Sequence, residues 1–152
     1  MAISMTVRNA GIDDIPEIIE LAKKFHAVSG YEYLEFDCDT VERIVMQSIG
    51  QELCPVAVID GEVVGFLLGL QFPALLNANI MVGTEIAWWV EPGHRSKPIG
   101  VKLLKYIEKQ AQSKKLKFWS MMCLEKLNAD GLESIYERMG YKKAERTYIR
   151  LF

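Results

Sequence analysis

The chain has 152 residues, with 18 Lys+Arg against 20 Asp+Glu, a formal charge of −2, and half of its residues apolar. This is the composition of a globular domain with one core, and it excludes a general nucleic-acid binder, whose affinity needs a surplus of cations to displace counterions. The longest apolar run, Val63 to Phe72, is broken by Gly65, Gly69 and Gln71 and falls well short of the roughly 20 residues of a membrane helix.

Met5 to Asn9 reads as a short strand. Asp13 to His26 then places Ile15, Ile18, Ile19, Ala22 and Phe25 at helical spacing, with Asp13 or Asp14 as cap and Pro16 in the first turn. Asp39 and Glu42 form a capping box leading into a second helix that stops near Gly50. Pro55 to Ile59 and Glu62 to Phe72 flank Asp60-Gly61, the strongest short-range hairpin signal in the chain. A further strand, Ile80 to Val90, runs into Glu91-Pro92-Gly93, and Ile99 to Ser113 carries the apolar stripe of a helix resting on a sheet. Lys117 to Leu124 is read as a strand and Asp130 to Met139 as a short helix closed by Gly140. Tyr141 to Phe152 is read as a last extended segment. The order β-α-α-β-β-β-α-β-α-β predicts an α/β fold, a mixed sheet with helices on both faces, built as a single domain over 1–152.

Cys38, Cys54 and Cys123 are an odd set without C-x-x-C spacing, which suits reduced thiols in a cytoplasm better than a disulfide framework or a metal site. Met1 to Arg8 lacks the pattern of a secretory leader. A cytoplasmic protein without a metal is expected, with neither nucleic acid nor membrane as partner; apolar residues in Thr147 to Phe152 leave a homodimer open.

In sheets of this kind a ligand sits beyond a strand C-terminus at a helix N-terminus, which directs attention to Val90-Glu91-Pro92-Gly93-His94-Arg95-Ser96-Lys97-Pro98-Ile99-Gly100. The first amides of a helix lack intrahelical acceptors and carry the positive end of its dipole, so an anion is stabilised there. Arg95 and Lys97 add cations, and Gly100 offers close approach to the backbone. A phosphate cradle is expected.

These residues resemble the GNAT (Gcn5-related N-acetyltransferase) superfamily. Its signature is a strand ending in Val-x-Pro, then Arg or Gln, two residues, Gly, any residue, and Gly or Ala. Val90-Glu91-Pro92 and Arg95 to Gly100 follow it, and Ser134 to Tyr141 resembles the family's late A-x-x-x-Y-x-x-x-G-F/Y segment. Pro98 departs from it, because proline stands at the family's first loop glycine and supplies no N–H. The resemblance implies acetyl-CoA as co-substrate. Arg95, Ser96, Lys97, Ile99, Gly100 and Val101 would then meet its pyrophosphate, with Trp89 and Val90 pairing with its pantetheine arm and Asn128 hydrogen-bonding that arm.

The resemblance further implies direct transfer of the acetyl group to a primary amine, on a small molecule or a protein. Tyr136 matches the tyrosine that protonates the departing thiolate, and Glu85 stands where some members carry the base that deprotonates the amine. A backbone N–H near Val90 would stabilise the charge developing on the carbonyl oxygen. The competing reading is a non-catalytic acyl-CoA-binding or protein-interaction module with the same fold. His94 is read as a solvent-facing loop residue, and Tyr31, Tyr33 and Phe36 as an aromatic loop packed on the sheet.

Overall fold

The computed structural model describes residues 4–152. Residues 1–3, part of the segment read for a leader, lie outside the described residues. The chain divides into two compact units, one reaching Met122 and one starting at Cys123.

The first unit is built on a five-stranded sheet of order β1-β2-β3-β4-β5, comprising β1 (Met5–Asn9), β2 (Pro55–Ile59), β3 (Glu62–Ala74), β4 (Asn77–Val90) and β5 (Trp119–Ser120). The first four strands pair antiparallel, and β5 pairs parallel to β4. Asp60 (φ 50°) and Gly61 (φ 81°) both turn through the left-handed region, as the tight hairpin between β2 and β3 requires. β3 and β4 form a longer hairpin than the sequence indicates, because Pro73 pairs with Met81 and, past an irregularity in register, Ala74 with Asn77 around a Leu75-Leu76 tip.

Helix α1 (Ile15–Val28) follows a short 3₁₀ turn, Ile12–Asp14. Asp14 stands at the cap position but makes no capping bond. Its carboxylate instead takes both Arg8 guanidinium nitrogens, at 2.7 and 3.0 Å, and the Gly11 amide at 2.8 Å. Helix α2 (Cys38–Gly50) ends where expected but starts earlier than the Asp39–Glu42 box implies, because the Asp37 carboxylate accepts the Thr40 amide and caps it. Helix α3 (Ile99–Ser113) matches its sequence stripe.

The two tryptophans of β4 show how the layers form. Trp89 belongs to the core cluster with Ile18, Leu21 and Ala22 of α1, Val45 of α2, and Phe66 and Leu68 of β3. Trp88, its neighbour, lies under Gly100 of α3. Adjacent strand residues point to opposite faces, so α1 and α2 cover one face and α3 the other. Leu103, Leu104 and Ile107 of α3 are fully buried, each contributing roughly 1.5–3 kcal/mol of transfer free energy before the entropy of ordering is counted.

The second unit holds helix α4 (Ala129–Arg138), close to its expected span, and Gly140 follows it at φ 90°. Two expectations at the C-terminal end are corrected. The strand read over Lys117 to Leu124 bonds to β4 from Lys117 N–H (to Met81 O, 2.8 Å) and has its ladder rungs at Trp119 and Ser120, so it is shorter than expected, and Tyr141 to Phe152 forms no ladder among the described residues. An extended segment becomes a strand only when another backbone takes its N–H and C=O groups. Alternation of apolar residues alone supplies none.

Candidate functional site

At the end of β4 the backbone winds tightly. The Glu91 amide donates to Val64 O (2.8 Å), and a 3₁₀ turn over Pro92–His94 is closed by His94 N–H to Glu91 O (2.9 Å) and Arg95 N–H to Pro92 O (3.3 Å). The Lys97 amide then donates to His94 O at 3.2 Å. That amide is thus engaged within the loop. Pro98 occupies the cap position, and the first bond of α3 runs from Lys102 N–H to Pro98 O at 3.1 Å. The amides of Ile99, Gly100 and Val101 precede that bond and have no intrahelical acceptor.

The side chains of this loop are partly committed. Arg95 donates from Nε to Val90 O at 2.8 Å, and its guanidinium lies 4.5 Å from the centroid of the Trp89 ring. Trp89 Nε1 donates to Glu91 Oε1 (3.1 Å), and Lys24 Nζ pairs with Glu91 Oε2 (2.8 Å). Partial burial acts to raise the Glu91 carboxyl pKa, but the bonds from Lys24 and Trp89 prevail and hold it below its ordinary range. Arg95 and Ser96 are exposed and Lys97 half-buried. The space of a Gly100 side chain is limited by Trp88, 3.2 Å away, so this glycine lets α3 sit close on the sheet and keeps the amides of its first turn at the end of β4. His94 is half-buried, against the solvent-facing expectation, and lines a cleft of about 380 Å³ with Glu17, Lys24 and Glu91.

Glu85 lies earlier on β4, at a fork. Leu68 pairs with Ala87 and the next residue, Gly69, with Glu85, so Ile86 is an extra residue bulged into β4. On the other side the rungs to β5 are Gly83 to Trp119 and Thr84 to Ser120. Past Thr84 the chains part, and the Met122 amide meets the Glu85 carboxylate itself, donating to Oε1 at 3.0 Å. Burial pushes the Glu85 carboxyl up to about 7, against the opposing pull of the Met122 amide. A carboxyl that titrates near neutrality can take a proton at working pH. The rungs of β4 to β5 end at Thr84, six residues before the strand's end at Val90.

Tyr136 and Asn128 belong to the second unit. Tyr136, on α4, is buried, with its ring centroid 5.6 Å from that of Tyr141. Asn128 sits at the start of α4 with left-handed backbone (φ 49°) and makes no side-chain cap, although its carbonyl accepts the Leu132 amide at 3.1 Å.

The aromatic loop is mixed. Phe36 packs against the core, whereas Tyr33 is exposed. Cys54 is buried and its thiol is pushed up to about 12, which makes it inert. Among the described residues no three His, Cys, Asp or Glu side chains are set to hold a metal ion, and no helix is long and apolar enough to cross a membrane.

Sequence reasoning missed the Met122 amide, the Thr84 and Ser120 hydroxyls and the Ile86 bulge. One signal was present. Gly69 and Gly83 stand inside strands, where glycine marks close approach by another group, and the Trp119 ring fills the space of both missing side chains.

A profile of the acetyltransferase (GNAT) family matches residues 15–141. The chain belongs to that family. As a GNAT acetyltransferase it is an acyltransferase, and solved structures share its fold at low identity. A ribosomal-protein-alanine N-acetyltransferase from Brucella melitensis biovar Abortus 2308 is 18% identical, with 99% of each chain covered and a TM-score of 0.71. The aminoglycoside N-acetyltransferase AAC(6')-Iy in complex with CoA is 13% identical, covering 100% of this chain and 97% of that one, with a TM-score of 0.76. A predicted acetyltransferase with acetyl-CoA from Clostridium acetobutylicum is 15% identical, covering 98% and 96%, with a TM-score of 0.72. No curated protein matches the GNAT chain in sequence.

Proposed function

We propose that this GNAT chain transfers the acetyl group of acetyl-CoA to a primary amine by direct attack, with residues 1–152 working as one domain in the cytoplasm. The observation that carries this reading is the juxtaposition at the end of β4. A strand whose rungs to β5 end at Thr84 leads straight into a helix whose first amides lack intrahelical acceptors. An amide-bearing arm ending in a diphosphate fits that sequence of groups. Ile99, Gly100 and Val101 would hold the diphosphate with their amides, Arg95, Ser96 and Lys97 with side chains at its rim. Trp89 and Val90 would hold the arm through their backbone, and Asn128 would hydrogen-bond it.

Glu85 is the base in this scheme. An ammonium must lose a proton before nitrogen can attack, and a buried carboxyl titrating near 7 is ionised enough at neutral pH to accept it. Tyr136 donates its phenolic proton to the departing sulfur, a transfer between groups of comparable basicity. The acceptor is an amine on a small molecule or a protein; structural neighbours include an aminoglycoside N-acetyltransferase and a ribosomal-protein-alanine N-acetyltransferase.

Two steps test the proposal. Acetyl-CoA is expected to raise the Tm of the chain, and thiol release over a panel of amines, including an aminoglycoside and an alanine-ended peptide, is expected to identify acceptors. Stabilisation with no thiol release from any amine supports instead a non-catalytic acyl-CoA-binding module. Pro98 and the engaged Lys97 amide favour that second reading, because each removes a donor from the cradle.

A further inference from the structure

We propose that the hydroxyls of Thr84 and Ser120 are positioning groups, which pin β5 to β4 at the last rung before the strands part and thereby hold the Met122 amide on the Glu85 carboxylate. The inference rests on the reading of Glu85 as the base.

β5 is paired to β4 over two rungs, Lys117 N–H donates to Met81 O at 2.8 Å and Gly83 N–H to Phe118 O at 3.1 Å, and the last rung is Thr84 to Ser120. At that last rung side chains add to the backbone bonds. Ser120 Oγ donates to Thr84 Oγ1 at 2.7 Å, and Thr84 Oγ1 donates onward to Glu85 O at 3.2 Å. Gly83 O lies farther from Ser120 Oγ, at 3.5 Å, so Thr84 Oγ1 is the better acceptor and the pair links β5 to the backbone of the base. On the same strand, the Trp119 ring lies over Gly69 and Gly83 and its Nε1 donates to Met121 Sδ at 3.1 Å. The segment from Trp119 to Met121 is thus held at several points, and Met122 follows directly with its amide 3.0 Å from Glu85 Oε1. That amide favours the ionised carboxylate, whereas burial opposes it. Among the described residues, no charged group on β3, β5, α1, α2 or α3 contributes to the balance. A small retreat of β5 therefore has one electrostatic consequence, a carboxyl that is harder to ionise.

The experiment follows the Glu85 carboxyl carbon by NMR in the full chain labelled with ¹³C-glutamate, using Glu85→Gln to identify its signal. The wild-type midpoint is expected at about 7. In Thr84→Val and in Ser120→Ala it is expected to rise by about half a pH unit or more, as a hydrogen bond to the charged form is weakened, and Thr84→Ser is expected to return it to the wild-type value. Should Ser120→Ala not fold, the nearly isosteric Thr84→Val carries the test. An unmoved midpoint in folded Thr84→Val overturns the inference, as does an equal shift in Thr84→Ser. Thiol release by Glu85→Gln separates the two readings. Full activity in that variant removes the base role and leaves the pin standing on its titration, whereas lost activity with an unmoved midpoint in Thr84→Val removes the pin alone.

Discussion

The indole of Trp119 lies directly on the backbone of Gly83, where an added side-chain carbon would stand 2.6 Å from two ring atoms and 2.9 Å from Leu116. No rotamer change of a flexible tip relieves such a contact, because the obstacle is a rigid ring itself clamped over Gly69. Gly83→Ala is expected to cost about 2 kcal/mol of stability, read as a lower urea midpoint with unchanged slope. A wild-type midpoint in that variant would show that Trp119 is free to move aside.

Glu85 links activity and stability through pH. Its carboxyl is raised from 4.5 to about 7 by burial, so in the folded state the neutral form is favoured. The stabilisation this represents is complete below the unfolded value near 4.5, declines as pH rises, and is gone above about 7, a loss of about 3 kcal/mol. Glu85→Gln has no proton to lose and is expected to keep its stability from pH 5 to 8. Equal pH dependence of the two proteins in calorimetry would refute the assignment.

The same group governs turnover in the proposed reaction. kcat/KM for an acceptor amine is expected to rise with pH through a midpoint near 7, and Glu85→Gln is expected to reduce it about hundredfold. A pH profile in Glu85→Gln with the wild-type limb intact assigns that limb to another group, such as the amine.

Arg95 does two things at once, donating to Val90 O and covering the face of Trp89. Lysine cannot reproduce both, because its ammonium is compact and heavily hydrated. Arg95→Ala and Arg95→Lys are each expected to weaken CoA binding about tenfold in isothermal titration. Unchanged affinity in either variant would place the coenzyme away from this loop.

Tyr136→Phe removes one hydroxyl and keeps the ring against Tyr141. In the proposed scheme turnover falls by about a hundredfold, while the dissociation constant for CoA stays within about twofold of wild type. Equal activity removes Tyr136 from the chemistry and leaves it as packing.

Much of this protein is written locally. The spacing of Ile15, Ile18 and Ala22, the Asp60-Gly61 turn and the stripe of α3 each depend on residues a few positions apart, and each was readable without coordinates. The loop between β4 and α3 was equally plain, since a strand end, Arg95, Pro98 and Gly100 are neighbours in the chain. The environment of Glu85 was not. Its burial, the Met122 amide and the Thr84–Ser120 pin join residues 36 or 37 positions apart, and one chain carries no local mark of which distant amide will face a carboxylate. The shortness of β5 and the missing ladder of Tyr141 to Phe152 have the same origin. Periodicity describes what one segment offers, whereas pairing and burial require a second segment to arrive opposite it.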